Sequence, residues 1–595
     1  MKAKKYFTLT LLCVLSLAAC KKSYLEKPIT GALEPQFLET VDGANELLVG
    51  AYAALDGQQG GDASFGGGGS WEASPDNWIY GGVAGGDANK GSVAGDQTPI
   101  EGIMKYISDA SNGFFDSKWR ADYEGISRTN NTLKDIAKIP DLADDVKKNL
   151  TGQAKFLRAH YYFDLKKMFN NVPYLDETTT NVNLPNNTDI WPKIEADFQY
   201  AYANLPNTQT AAGRANKWAA GAYLAKTYLY EHKYAEAKAV FDAVIAQGVT
   251  ANGKKYALNL HFHDNFNTST NNSAESVFAV QAAANSDPAG PSNANDGDML
   301  NFPYGNSSPF SCCGFYQPSI DLANHFRTNP ATGLPYLDDY NSHALKTDMN
   351  LSSAADFTPD AGTIDPRLDW TAGRRGIPYL DWGLHPGSDW IRDQSYAGPY
   401  SPIKNVYGQA EQSVNGDNSS WAPGSGINVN IIRFADVLLM AAEAEVQAGT
   451  LDKAEQYVNM VRNRAANPVG WVHKYTDDGD PTGGFSEEPA ANYKVSPYPA
   501  GNFAGGGKDY ALKAIYFERK IELAMEGHRF FDLVRWGIAD TELNAYITFQ
   551  GTQTNDVRGG KFLKGKNEYF PIPQREIDLS ATSGTAVLKQ NPGYH

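Results

Sequence analysis

Basic charge is scarce in this chain of 595 residues: 52 Lys and Arg stand against 68 Asp and Glu, a formal net charge of -16. Nucleic acid and anionic lipid both require clustered cations to neutralise phosphates, so neither fits as a principal partner. Cysteine is scarcer still, with four in all. After residue 19 no apolar run reaches the roughly 20 residues of a membrane-spanning helix, and the mean hydropathy is -0.45. Common catalytic signatures are missing too. There is no His-Glu-x-x-His zinc motif and no Gly-x-Ser-x-Gly elbow, and Lys508 after Gly505-Gly506-Gly507 is followed by Asp509 where a phosphate loop requires Ser or Thr. Asp477-Asp478-Gly479-Asp480 lacks the ligand spacing of an EF-hand and reads as a solvated acidic turn. Glycoside hydrolysis needs only two acids correctly separated in space, so the abundance of acids does not bear on it. No catalytic residue, metal or cofactor is predicted.

What is present begins at the N-terminus. Lys2, Lys4 and Lys5 precede an apolar run from Tyr6 to Ala19, the pattern of a secretory signal (1–19) and too short for a membrane span. Leu17-Ala18-Ala19-Cys20 resembles a bacterial lipobox, in which Cys20 is acylated and tethers a globular body to a membrane through residues 20–33. An ordinary signal peptide would instead leave Cys20 as a free thiol; export follows either way. Cys13 leaves with the signal, so Cys312 and Cys313 are the cysteines of the folded body. In an oxidising exterior two adjacent thiols can pair, or they can remain reduced and half-buried. Aromatic residues make up 12% of the chain, with 11 Trp and 33 Tyr, and their flat apolar faces with polar tips suit the C–H faces of sugar rings.

Apolar residues recur at helical spacing over 34–55, 112–136 and 144–169, and again as helix pairs at 213–229 with 234–245 and at 432–447 with 451–466, followed by 509–526 and a helix running through Arg535. The break at Glu231-His232-Lys233, flanked by Ala220, Leu224, Ala225, Tyr228, Tyr234, Ala235 and Ala237, predicts an antiparallel helix hairpin of the tetratricopeptide kind. Residues 57–95 are glycine-rich and carry Trp71, Asp76, Asn77, Trp78 and Tyr80, rings that either plug the loop against the body or await a ligand. Residues 265–430 are rich in Gly, Pro, Asn, Ser and aromatics. The predicted architecture is therefore mainly α: one interwoven domain over 34–595, with a helical scaffold from 34–264 and 431–595 and a loop-rich ligand-binding insertion at 265–430.

Three segments carry a specific resemblance: Ile432-Arg433-Phe434-Ala435-Asp436 continuing through Ala444, Val461-Arg462-Asn463-Arg464-Ala465, and Phe517-Glu518-Arg519-Lys520-Ile521-Glu522 continuing through Glu526-Gly527-His528-Arg529-Phe530-Phe531-Asp532 to Gly537. With Tyr24-Leu25-Glu26-Lys27-Pro28, the run Gln153 to Phe163 before Asn171-Val172-Pro173, Asp365-Pro366-Arg367-Leu368, Pro571-Ile572-Pro573 and Gln590-Asn591-Pro592-Gly593-Tyr594, they resemble the SusD/RagB family of Bacteroidetes over nearly the whole chain. One departure is Lys21-Lys22, where family members often carry acidic residues after the lipid cysteine. The charged residues Glu518, Arg519, Glu522, Glu526, His528, Arg529, Asp532 and Arg535 fall at spacings of three and four, which predicts a structural ion network rather than an active site.

The resemblance implies an outer-membrane lipoprotein at the cell surface that binds an oligosaccharide and hands it to a SusC-like TonB-dependent transporter without chemistry. It places the glycan cleft between the early loop and the middle region, pointing to Asp56, Trp71, Asp76, Asn77 and Trp78 on one side and Cys312, Cys313, Trp382, Arg392 and Tyr400 on the other. Ser311-Cys312-Cys313-Gly314-Phe315-Tyr316 sets the cysteines among aromatics, where a closed disulfide would form a small apolar plate, and the pair resembles the fructan-binding (levan) branch. Arg and Asp interleaved with rings at 370–393 offer directional hydrogen bonds to vicinal hydroxyls. A peptide-capturing RagB-like protein and a surface glycoside hydrolase are the alternatives.

Overall fold

Alanine and glycine at packing positions let helices approach closely, and that is what the chain builds. The computed structural model describes residues 38–60, 63–286, 293–582 and 584–594; the signal, Cys20 and the tether lie outside the described residues. Helix α1 (Val41–Ala53) packs on α2 (Gly113–Ile136), and α2 on α3 (Asp144–Phe169). The stack continues through α4 (Trp191–Asn204), α5 (Lys217–Tyr230) and α6 (Tyr234–Gln247). It then crosses to α7 (Phe434–Ala448), α8 (Leu451–Ala466) and α9 (Asn502–Glu522, broken at Gly507), with the short α10 (Arg529–Arg535) beyond. Helices α6 and α7 are neighbours in the stack although the whole insertion separates them in sequence, so the scaffold is continuous and the insertion loops out of it.

Local signals start several of these helices. The side chains of Asn112, Asn216 and Thr450 accept hydrogen bonds from Phe114 N, Ala219 N and Lys453 N at 3.1, 2.9 and 3.2 Å, satisfying amides that have no partner inside the helix. Helix α4 was not among the expected elements. Its Trp191-Pro192 start and mixed surface give a weak pattern, yet Ile194, Phe198 and Ala201 are buried against its neighbours. The core between them is aromatic: Phe156 meets Phe278, Tyr223 and Phe198 edge-on at 4.7–5.6 Å, and Phe198 stacks on Tyr223 at 4.8 Å. Truncating a ring so enclosed as Phe156 costs about 3–5 kcal/mol.

Two ribbons tie the insertion down. Strands β2 (Ser276–Val280) and β4 (Val429–Arg433) pair antiparallel, with Val280 opposite Val429 and Ser276 opposite Arg433, closing the neck of the insertion. Strands β1 (Ala88–Gly91) and β3 (Phe315–Pro318) pair with Asn89 opposite Gln317, which brings the early glycine-rich loop against the segment that follows the vicinal cysteines. Among the described residues no helix is long and apolar enough to cross a membrane.

Candidate functional site

The early loop divides its aromatic residues between two duties. Trp78 is fully buried, with its Nε1 donating to Gly297 O at 3.1 Å and its ring 5.4 Å from that of Tyr316. Asn77, held at φ 55°, donates to Asp164 Oδ2 at 3.2 Å. These two plug the loop against the body. Trp71 faces the other way. Its ring lies over Gly69, where an added Cβ would come 2.2 Å from the indole, so the glycine run is what lets the ring fold back on its own loop. Trp71 then meets Trp421 edge-on at 6.1 Å, and Trp421 is 53% exposed.

The turn 296–298 holds this arrangement. Ser70 Oγ donates to Asp296 O at 2.9 Å, Trp78 Nε1 to Gly297 O, and Ser420 Oγ to Asp296 Oδ1 at 2.7 Å, so the early loop and the 417–421 loop share one anchor. Asp417 organises its own loop: Oδ2 accepts from the amides of Ser419 and Ser420 and from the Ser419 hydroxyl, with the Ser420 hydroxyl 2.8 Å away, while Oδ1 accepts from Asn285 N. Beside the tryptophans opens a cleft of about 220 Å³, lined by Pro309, Phe310, Ser311, Tyr407, Gln412 and residues of the 416–423 loop. Trp382 supports its wall, with the ring edge-on to Phe310 at 4.8 Å and Nε1 donating to Tyr407 O at 2.8 Å.

After Ser311 in the chain come Cys312, half-buried, and Cys313, buried and joined to it by a disulfide. Beyond them Arg392 lies 5.5 Å over the ring of Tyr304 and donates to Ser92 Oγ at 2.6 Å and Asp96 Oδ2 at 2.8 Å. None of the expected residues is among those that line the cleft: Trp71 touches its loop through Trp421, Trp382 packs behind Phe310, Cys312 and Cys313 follow Ser311 in the chain, and Arg392 lies over Tyr304. Tyr400 is buried beneath, 2% exposed, with its backbone oxygen accepting from Gln317 Nε2.

Asp76 lines a separate internal cavity of about 50 Å³ with Asp298, Tyr316, Lys404 and Glu526. Burial, and then the neighbouring Asp298 carboxylate, hold Asp76 well above the ordinary carboxylate range; burial raises Asp298 as well. Burial pulls Lys404 down to about 8 against the attraction of Glu526. Asp56 lines a third hollow, on the far side of the early loop. Sequence reading did not single out Trp421, Tyr304 or Tyr407. The signal for Trp421 was a lone indole in the polar run Asn418-Ser419-Ser420.

The closely spaced charges of the C-terminal helices face inward. Glu522 receives Arg367, Arg433 and Arg464, Glu518 receives Arg367 and Arg462, and Asp532 receives Arg519 and Arg535, all with side chains at most 8% exposed. His528 faces a void of about 10 Å³, too small for a substrate, and burial lowers it to about 4.

The architecture defines a class first: a tetratricopeptide-like helical scaffold that displays a loop-built surface cleft. Residues 274–594 match the model of the SusD family, and residues 90–229 match a model described as starch-binding and associating with the outer membrane. The chain belongs to the SusD family. The SusD-like protein P2 of Formosa agariphila is 24% identical over 99% of this chain and 100% of that protein. A SusD-like protein of Bacteroides ovatus is 23% identical over 78% of this chain and 76% of its own length. Among solved structures, surface glycan-binding protein A from Bacteroides thetaiotaomicron superposes with a TM-score of 0.64 at 20% identity, covering 93% of this chain and 100% of that one. A laminarin-binding SusD-like protein gives 0.61 at 23% identity, covering 93% and 99%.

Proposed function

We propose that this protein is a cell-surface glycan-binding lipoprotein, anchored in the outer membrane through Cys20, that captures an oligosaccharide and passes it to a SusC-like TonB-dependent transporter without cleaving it. The observation that carries the reading is Trp421, 53% exposed and braced edge-on by Trp71 beside a polar-floored cleft. An isolated loop would not hold a large apolar ring in water; here two loops are anchored to one turn to hold it there. Its face suits the C–H face of a sugar, while Ser311, Gln412, Asn418 and Ser420 offer donors and acceptors to hydroxyls. Pre-formed rings keep the ordering cost of binding low and the affinity moderate, which suits a ligand that must be handed on.

Within the glycans, a levan-type fructan is the first ligand to test, because the Cys312–Cys313 disulfide directly follows Ser311, which lines the cleft. Laminarin is the second, since a solved relative is described as laminarin-binding. Calorimetry of the protein against levan, laminarin, starch, chitin and xylan oligosaccharides and a peptide panel is the test. Heat with a glycan is expected. Heat with peptides alone overturns the reading in favour of peptide capture, and shorter chains among the products of a bound glycan overturn it in favour of a hydrolase.

A further inference from the structure

A second hollow, of about 430 Å³, lies between α1 and the end of β2, lined among the described residues by Val49, Tyr52, Leu55, Asp56, Arg214 and Gln281 with their neighbours. Two opposite charges meet it without meeting each other. Asp56 Oδ1 accepts from Gln58 N at 2.8 Å, and no described cation lies within ion-pair range of the carboxylate. Arg214 donates to the neutral oxygens of Asn45 and Gln153, both at 3.3 Å, and no described carboxylate pairs with it. The guanidinium lies 6.0 Å from the centre of the Tyr52 ring, and Tyr52 is one helical turn before Asp56. The turn that carries Arg214 is held against the strand end: a Cβ on Gly213 would come 2.4 Å from Gln281 Cγ.

Neither group has a counter-charge of the kind that Glu522 finds in Arg367. An acid and a base left unpaired at opposite sides of one apolar-walled hollow favour a ligand that brings both counter-charges. A neutral glycan would offer hydroxyls to both groups but a counter-charge to neither. We propose that this hollow is a second binding site, distinct from the glycan cleft, for a small zwitterion of amino-acid or dipeptide size, with Asp56 receiving its ammonium, Arg214 its carboxylate, and Val49, Leu55 and Val280 its apolar side chain.

Burial pushes Asp56 up to about 7, against the Gln58 amide and the charge of Arg128. Arg214, Arg128, Tyr52 and Tyr161 are the other charged or titratable groups facing it. Binding of an ammonium requires the ionised carboxylate, so affinity rises between pH 6 and pH 8.

The test is ligand-observed NMR and calorimetry on the full chain with leucine and Gly-Leu, and with N-acetyl-Gly-Leu and Gly-Leu amide as probes lacking one charge each. Binding of Gly-Leu is expected, weakened tenfold or more by either cap, by Asp56→Asn and by Arg214→Gln, with no displacement by a saturating glycan. Absence of binding by both zwitterions at millimolar concentration overturns the proposal. Equal binding of the capped peptides, indifference to both substitutions, or displacement by glycan overturns it as well. If Asp56→Asn fails to fold, Arg214→Gln and the two caps decide the matter alone.

Discussion

Replacing Glu522 by Gln removes one buried negative charge while keeping the shape of the side chain. Glu522 is fully buried and its two oxygens serve Arg367, Arg433 and Arg464. The surrounding group holds five cations (Arg367, Lys404, Arg433, Arg462 and Arg464) and five carboxylates (Glu275, Asp365, Glu518, Glu522 and Glu526), so it is neutral as it stands. The substitution leaves one uncompensated positive charge among side chains at most 6% exposed, and the Gln amide can present an oxygen to only one side. Breaking a buried pair in this way costs about 3–5 kcal/mol. At about 2.1 cal/mol/K per residue, a chain of 595 residues has an unfolding entropy of about 1.2 kcal/mol/K, so Tm falls by about 3–4 °C. Circular dichroism at 222 nm, read alongside Lys138→Gln as a control, measures it. Lys138 pairs with Asp135 at the surface with 53% of its side chain exposed, and its loss leaves Tm unchanged. A Glu522→Gln shift below about 1 °C would refute the view that these charges hold the scaffold together.

Trp421→Ala lowers affinity for the bound glycan roughly 5–30-fold, about 1–2 kcal/mol, and leaves Tm unchanged because the ring is 53% exposed; equal affinity of the variant in calorimetry removes the cleft from the reading. A Cys312→Ser/Cys313→Ser double variant weakens the same ligand several-fold, whereas unchanged binding shows the plate to be a bystander. Stability should peak in mildly acidic solution. Burial lifts Asp56, Asp122 and Asp556 to about 7 and Asp87 to about 6, above the unfolded value of about 4, so stability from these groups is fully present below about pH 4 and is lost progressively as pH rises from there through 6–7. Asp321 and Asp360, held at about 2 by Lys520 and by Arg327 with its neighbouring hydrogen bonds, contribute stability that is lost as pH falls below about 4. Tm measured from pH 3 to pH 8 therefore has its maximum near pH 4, and a steady decline from pH 8 to pH 5 contradicts this account.

The helical frame was legible because its signal is local. Asp144–Phe169 and Leu451–Ala466 begin and end where the apolar spacing places them, and the pairing of α5 with α6 follows from the small residues around Glu231. The inward direction of Glu518, Glu522 and Asp532 was also legible, although their partners were not: Arg367 and Arg433 come from distant segments that no helical spacing connects. The cleft was legible only in outline. Trp71 and Trp78 stand seven positions apart in the same irregular loop, with nothing in composition to say that one is a plug and the other a brace. Asp56 follows the same rule, since the hairpin Gln58–Gly60 with Ala63–Ser64 turns the chain and leaves Asp56 in a different hollow from Trp71.

Arg367 and Lys404 reach from the insertion into the carboxylates of the helices, while the 417–421 loop at the outer edge is tied chiefly by its own aspartate and one turn below it. Such a graded attachment makes the outermost loops replaceable parts. Transplanting the 416–423 segment of a relative with a different sugar preference should alter what is recognised while leaving the melting behaviour of the host almost untouched, a practical starting point for redirecting recognition.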